Sequence, residues 1–161
     1  MRTHTVIDSP IGALTLVATD GALNAVYMVD HKRLPELATF GERVDAGFEE
    51  ATTQFGEYFA GQRRDFTLRT DPIGTDFQQR VWKALTTIPY GETWSYAELA
   101  DAVGDRKVIR AVGTANGRNP LSIIVPYHRV IGSDGSLTGY AGGLDRKRFL
   151  LDLEPPTEHL F

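Results

Sequence analysis

The sequence has 161 residues, of which 42% are hydrophobic and 24% charged, and its formal net charge is −4 at pH 7. These values are typical of a folded protein of one ordinary domain or two small ones, and they exclude a globally disordered chain. No apolar run approaches the roughly 20 residues that a membrane helix needs, and the start lacks the apolar stretch of a signal peptide. The sequence contains no cysteine, which excludes disulfides, thiolate metal sites and thiol nucleophiles.

The first part of the chain has the pattern of strands followed by one helix. Apolar runs at 14–17 and 25–29 flank an Asp20-Gly21 pair, which predicts an antiparallel meander. Apolar residues within 48–59 recur at helical spacing, and a short strand is predicted over 66–68. This segment contains no catalytic constellation.

The second part has signals for helices. Thr75 with Gln78 and Ser95 with Glu98 form two capping boxes, in which each side chain binds a backbone donor left free at a helix start. The second box predicts a helix over 96–103, and a further helix is predicted over about 107–116. Two short helices joined by a turn that contains glycine fit either a helix-turn-helix or an ordinary helical hairpin.

Positive charge is concentrated around the second of these helices. Residues 104–130 contain one acidic residue, Asp105, and five basic ones: Arg106, Lys107, Arg110, Arg118 and Arg129. A solvated basic face would explain the charge by itself. Because the second helix of a helix-turn-helix is the one that approaches DNA, its coincidence with the charge favours nucleic acid as the partner.

Several short motifs follow one another over some 80 residues of the second part. They are Gly-Thr-x-Phe-Gln-x-x-Val-Trp at 74–82, Ile-Pro-x-Gly at 88–91, Arg-Ala-Val-Gly at 110–113, Asn-Pro at 119–120, Pro-Tyr-His-Arg-Val at 126–130, a glycine loop at 139–143 and Leu-Leu-x-x-Glu at 150–154. In this order they resemble the O6-alkylguanine-DNA alkyltransferase family, which has Pro-Cys-His-Arg-Val at the fifth motif. The Ser-Pro-Ile-Gly turn at 9–12 is similar to that family's small first domain.

The resemblance implies an α+β fold in two domains. Residues 1–73 are expected to form a small antiparallel sheet with a helix, and residues 74–161 a mainly helical, winged-helix-like domain with a helix-turn-helix that binds DNA. In the family the second helix enters the minor groove, the residue matching Arg110 fills the gap left by an extruded nucleotide, and the tyrosine matching Tyr96 helps to rotate that nucleotide. The other expected DNA contacts are Ala111, Gly113, Thr114, Ala115 and Arg118.

The resemblance also assigns the reacting site. Tyr127 occupies the position of the cysteine that accepts the alkyl group, His128 and Glu154 match the proton relay, and Asn119 organises the turn. The extruded base is expected to lie against Val130, Tyr140, Ala141 and Gly142. No metal and no cofactor are expected.

A tyrosine at the acceptor position argues against alkyl transfer. A free phenol has a pKa of about 10, so only about one part in a thousand is ionised at pH 7. Its oxygen also lies several bond lengths from the position of a cysteine sulfur, and near-attack geometry tolerates little displacement.

Two interpretations remain open. In the first, the protein binds O6-alkylguanine in double-stranded DNA without repairing it, similar to alkyltransferase-like proteins that hand the lesion to nucleotide excision repair. In the second, it is a suicide alkyltransferase whose cysteine has been replaced by Tyr127, naturally or by engineering. A repurposed fold that acts on a small molecule is a third, minor interpretation. The protein is expected in the cytoplasm, associated with the nucleoid in a prokaryote.

Overall fold

A computed structural model describes residues 1–29, 34–137, 140 and 142–154. Its strands are β1 (Arg2–Ile7), β2 (Leu14–Thr19), β3 (Ala22–Met28), β4 (Glu42–Arg43), β5 (Trp94–Ser95) and β6 (Val130–Ile131). Its helices are α1 (Glu49–Phe59), α2 (Asp76–Leu85), α3 (Tyr96–Val103), α4 (Ile109–Gly117) and α5 (Leu144–Leu153). Within the described ranges, none of the helices has the length and apolar character required to cross a bilayer.

The N-terminal sheet has the strand order β3-β2-β1-β4. The predicted antiparallel meander is confirmed for β1, β2 and β3, and the turn at Asp20-Gly21 has positive φ at both residues, as a two-residue hairpin of this kind requires. The short β4 pairs in parallel with β1. The strand predicted over 66–68 is wrong: that segment has no strand partner, and the side chain of Gln54 binds the backbone N–H of Thr67 instead.

Both predicted capping boxes are present, and they begin α2 and α3. Gly104 ends α3 with φ of 109°, a conformation that costs glycine little because it has no Cβ. The helix predicted from residue 107 begins instead as a 3-10 turn over Arg106–Val108, because the Asp105 carboxylate accepts the Lys107 N–H; the α-helical part, α4, follows it. Ala111, an expected DNA contact, is exposed on α4.

One hydrophobic core joins the sheet to the helical part. Its buried members come from β2, β3 and α1 on one side and from α2, α3, α4 and the segment 121–130 on the other. The backbone N–H of Val26 donates to the Pro120 carbonyl at 2.8 Å, and Val26 forms a parallel bridge with Leu121. The segment that contains Tyr127 is therefore held against the N-terminal sheet. The boundary at 73/74 stays a prediction.

Candidate functional site

The chain before Tyr127 makes a tight, strained turn. The N–H of Ile124 donates to the Ser122 carbonyl at 2.8 Å, which closes a three-residue turn around Ile123. Ile123 has φ of 74°, where a β-branched side chain is rarely found. Such strain persists only when the surroundings fix it, and it concentrates at functional sites.

Asn119 helps to hold the strained turn around Ile123 in place. Its side-chain oxygen accepts the N–H of Leu121 at 3.0 Å, and its amide nitrogen donates to the Val125 carbonyl at 2.9 Å. The buried amide thus spans the turn from both ends. This arrangement suits the organising role that the sequence predicts for Asn119.

Glu154, at the end of α5, accepts hydrogen bonds from two other parts of the chain, helix α1 and the turn that contains His128 and Arg129. Its carboxylate accepts from His128 Nε2 at 2.9 Å, from the hydroxyl of Tyr58 at 2.5 Å, and from two guanidinium nitrogens of Arg129 at 2.7 and 3.0 Å. Burial acts to raise the pKa of Glu154, but the hydrogen bonds from His128 and Arg129 and the charge of Arg129 prevail and lower it to about 2. Glu154 is therefore an anion throughout the neutral range.

His128 is fully buried beside this carboxylate. Burial lowers its pKa below the usual value, against the raising effect of the Glu154 hydrogen bond. A carboxylate only accepts, so Nε2 carries the hydrogen and Nδ1 presents a lone pair. Nδ1 is buried and has no hydrogen-bond partner among the described residues. His128, oriented by Glu154, therefore has the arrangement of a general base.

Tyr127 lies in the 3-10 turn Tyr127–Arg129 and is 1% exposed. Its ring stacks on that of Tyr140, with centroids 4.5 Å apart and planes inclined by 28°. Burial raises the pKa of Tyr127 to about 12, against the smaller lowering effects of the Ser122 and Tyr140 hydroxyls. The phenol is therefore un-ionised at neutral pH.

The loop on the other side of Tyr140 packs closely on β3. A Cβ at Gly142 would overlap the sulfur of Met28 and would lie 3.0 Å from the Tyr140 ring, so a larger residue here would displace one of these side chains. Arg146 fastens the same loop by donating to the carbonyls of Ile11, Val29 and Gly142. Gly139 and Ala141, which belong to the glycine loop at 139–143, lie outside the described residues.

The helix pair α3–α4 forms a surface outside this buried site. Tyr96, at the start of α3, lies over Gly113 of α4, where a Cβ would be in ordinary van der Waals contact with the ring at 3.8 Å. The exposed residues of α4 and its end include four of the predicted DNA contacts: Arg110, Ala111, Thr114 and Arg118. Ala115, also predicted to contact DNA, is buried instead, and its carbonyl accepts the indole N–H of Trp82 at 2.9 Å.

A short parallel ladder connects the α3–α4 surface with the buried site around Tyr127. β5, which runs directly into α3, pairs with β6, so that Trp94 lies opposite Val130. Val130 follows the turn that carries Tyr127 and His128, and its carbonyl accepts from Lys147 Nζ at 2.6 Å. The structure thus brings Asn119, Tyr127, His128, Val130, Tyr140 and Glu154 into one buried site, with the exposed face of α4 outside it.

Sequence reasoning missed several members of this site. Tyr58 and Ser122 carry no motif of their own and come together with the site only through the fold. Lys147 lies in a basic run at 146–148, a pattern typical of a solvated face, but it is fully buried, and burial lowers its pKa to about 8. Within the described ranges, no three His, Asp or Glu side chains are grouped as a metal site would require.

The chain matches two family descriptions in succession. Residues 3–72 match the ribonuclease-like domain of 6-O-methylguanine DNA methyltransferase, and residues 76–155 match the DNA binding domain of the same family. A methylated-DNA–protein-cysteine methyltransferase of Mycolicibacterium paratuberculosis is 51% identical over 96% of this chain and 93% of its own length. A protein of the same name from Methanosarcina barkeri is 48% identical over 94% of this chain and 96% of its own length.

Solved structures resemble the fold over nearly its whole length. The crystal structure of Mycobacterium tuberculosis O6-methylguanine methyltransferase has a TM-score of 0.88 and 49% identity, and covers 98% of this chain and 97% of its own. The Mycobacterium tuberculosis OGT in complex with DNA has a TM-score of 0.87 and 50% identity, with 96% of each chain covered.

Proposed function

Because this chain belongs to the 6-O-methylguanine DNA methyltransferase family, we propose that it binds double-stranded DNA at O6-alkylguanine and does not accept the alkyl group. One observation carries the proposal: the residue between Pro126 and His128 is a buried, un-ionised tyrosine. The proposal separates recognition of the lesion, for which the binding surface is retained, from the transfer reaction, for which the nucleophile is missing.

Tyr127 is a poor acceptor for an alkyl group. With a pKa of about 12, only about one phenol in 10⁵ is ionised at pH 7. The ring also carries the oxygen well beyond the place of a cysteine sulfur, and displacements of this size remove near-attack geometry. The sequence offers no cysteine as a substitute.

The exposed face of α4 supports DNA binding. Arg110 and Arg118 lie on it without acidic partners in the described part of the chain, so their charges remain available to phosphates. We assign Arg110 to the gap left by an extruded nucleotide and Tyr96 to its rotation. O6 of guanine cannot be reached inside the base stack, so recognition of this atom requires extrusion, which costs a few kcal/mol of stacking.

A protein that holds the lesion without removing it can act only through another repair system. Nucleotide excision repair is the partner that the family resemblance suggests, in a prokaryotic cytoplasm. The proposal itself requires only that the complex with damaged DNA lasts longer than the complexes with undamaged DNA.

Binding and mass measurements test the proposal together. Fluorescence anisotropy with matched duplexes should give a smaller Kd for O6-methylguanine than for guanine at the same salt concentration. After the same incubation, the intact mass of the protein should be unchanged. Equal affinities would refute lesion recognition, and a gain of about 14 Da, one methylene, would refute the absence of transfer.

The retained His128–Glu154 pair favours one second candidate, a suicide alkyltransferase in which tyrosine has replaced the acceptor cysteine. A pure binding protein has little need of a buried histidine whose Nδ1 lone pair is free. The substitution Tyr127→Cys distinguishes the two. A rapid mass gain on the O6-methylguanine duplex would support a recently disabled enzyme, and no gain would support a site adapted to binding alone.

A further inference from the structure

The two outer edges of the N-terminal sheet are covered to different extents. The edge of β3 forms backbone hydrogen bonds with residues 69, 71 and 120. At the opposite edge, β4 pairs only with Thr3 and His4 of β1, and the Val44 N–H then donates to the His4 carbonyl at 2.9 Å. The second half of β1, residues 5–7, therefore lies at an uncovered edge of the sheet, which we call the open edge.

The hydrogen bonds of β1 show which backbone groups face the open edge. Successive residues of a strand direct their backbone groups to opposite sides. The Met1 carbonyl accepts the Asp20 N–H from the side of β2, and the His4 carbonyl accepts from the other side. The N–H and carbonyl of Val6 therefore also point away from β2, and neither has a hydrogen-bond partner among the described residues.

A groove of about 460 Å³ runs beside the open edge, between β1 and the start of α1. Val6, Ile7 and the buried Phe48 give it apolar walls, and the exposed carboxylates of Asp45 and Glu49 also line it. Neither carboxylate forms an ion pair with another described residue. Residues 42–50 contain four acidic residues and one basic residue. The groove therefore combines apolar walls with negative charge.

We propose that this groove binds an extended, basic segment of a partner protein, which adds to β1 as a further strand. Strand addition of this kind obtains its affinity from main-chain hydrogen bonds, here those of the Val6 N–H and carbonyl. Apolar side chains of the segment pack on Phe48, and its lysine or arginine side chains pair with Asp45 and Glu49. This interaction surface goes beyond the proposed function, because no DNA is bound at it.

The charge of the groove disfavours other occupants. The phosphates of DNA require basic side chains, which the groove lacks. A second copy that paired through the same edge would bring the Asp45 and Glu49 carboxylates of both copies together, and like charges across an interface disfavour association. In the part of the chain that the structure describes, no third carboxylate or imidazole joins the two carboxylates to form a metal site.

Fluorescence anisotropy with two labelled hexapeptides and the full-length protein tests the proposal. One peptide alternates lysine with valine, and the other alternates glutamate with valine, so both have the same apolar residues. The Lys-Val peptide should have a Kd about tenfold smaller, and this preference should weaken as the salt concentration rises. Equal affinities, or no saturable binding of the Lys-Val peptide, would overturn the proposal. Because no DNA is present, the result does not depend on the proposed function.

Charge variants locate the bound peptide. Asp45→Asn combined with Glu49→Gln removes both charges but keeps an acceptor for the Thr5 hydroxyl and for the Gly47 N–H. This pair should weaken binding of the Lys-Val peptide severalfold. Glu92→Gln combined with Asp152→Asn is the matched control, because it removes two exposed carboxylates outside the groove. Equal weakening by the two pairs would show attraction by net charge alone and would overturn the site.

Amide hydrogen exchange tests the addition of a strand. Saturation with the Lys-Val peptide should slow exchange of the Val6 N–H, whereas the Thr5 and Ile7 amides, which face β2, should be unchanged. Val6→Pro removes the outward N–H without breaking a bond to β2, and it should abolish most of the binding. Unchanged exchange at Val6 in the complex, or full binding by Val6→Pro, would overturn strand addition. A dimer of the protein alone in which the Val6 amide is already protected would assign the open edge to a second copy and would also overturn the proposal.

Discussion

The hydroxyl of Tyr58, on α1, donates to the carboxylate of Glu154, at the end of α5, at 2.5 Å. The two residues are 96 positions apart, and both are buried. Glu154 in turn accepts from His128, so a residue of the N-terminal part helps to hold the carboxylate that orients the histidine. The N-terminal part therefore contributes directly to the geometry of the site.

Removal of the Tyr58 hydroxyl should destabilise the protein. Tyr58→Phe leaves one acceptor site of a buried carboxylate unpaired, and we expect the free energy of unfolding to fall by about 1–3 kcal/mol. Urea unfolding followed by fluorescence measures the change. An unchanged free energy of unfolding would show that the hydrogen bond contributes nothing net.

Arg129 and Arg63 allow a buried ion pair to be compared with a surface pair. Arg129→Met would leave Glu154 without its only arginine partner in the described structure, and the Ile88 carbonyl without the donor that lies 2.7 Å away. We expect a loss of about 3–5 kcal/mol from this change. Arg63 pairs with Glu57 at the surface, and Arg63→Met should cost less than about 1 kcal/mol. Similar losses in the two unfolding curves would contradict this assignment.

Stability should fall in acid in two stages. His128 has a lowered pKa in the fold, so below about pH 6.5 the unfolded chain binds a proton that the folded chain does not, and stability falls. Glu154 also has a lowered pKa, so its contribution is complete above about pH 4.5 and is lost as the pH falls towards 2. Urea unfolding at a series of pH values checks this, and Glu154→Gln should flatten the lower part of the profile. An unchanged slope in that variant would assign acid unfolding to other carboxylates.

Arg110 should matter more for damaged than for undamaged DNA. In the proposed function it fills the gap left by the extruded nucleotide, a role that exists only when a base is flipped. Arg110→Ala should therefore weaken binding to an O6-methylguanine duplex about tenfold and to undamaged DNA less. Arg43→Ala, on the exposed strand β4, controls for loss of one positive charge. Equal weakening of binding to both duplexes would indicate that Arg110 only contacts phosphates.

Local signals in the sequence predicted the parts of the fold that depend on neighbours along the chain. The capping boxes at Thr75 and Ser95 were read correctly because each is complete within four residues. The strand predicted at 66–68 failed because a short apolar pattern does not specify a partner, and Gln54 takes the place of one.

The functional site also contains residues that a local motif predicts and residues that only the fold brings together. Tyr127 and His128 are adjacent and belong to a recognisable motif, whereas Tyr58 reaches Glu154 only after both halves have folded. The burial of Lys147 could not be predicted either, because a basic run on a helix is usually solvated and only the packing of α5 buries this side chain.

The parallel bridge between Val26 and Leu121 has a consequence for dissecting the chain. A fragment that starts at residue 74 would lose the N–H that binds the Pro120 carbonyl, the strands that cover residues 121–125, and the Tyr58 hydroxyl at Glu154. Its helix pair could keep its capping boxes, since these are local. The turn that contains Tyr127, however, would expose to water the apolar side that packs against the sheet. An isolated C-terminal half would therefore require new polar residues there before it could recognise a lesion alone.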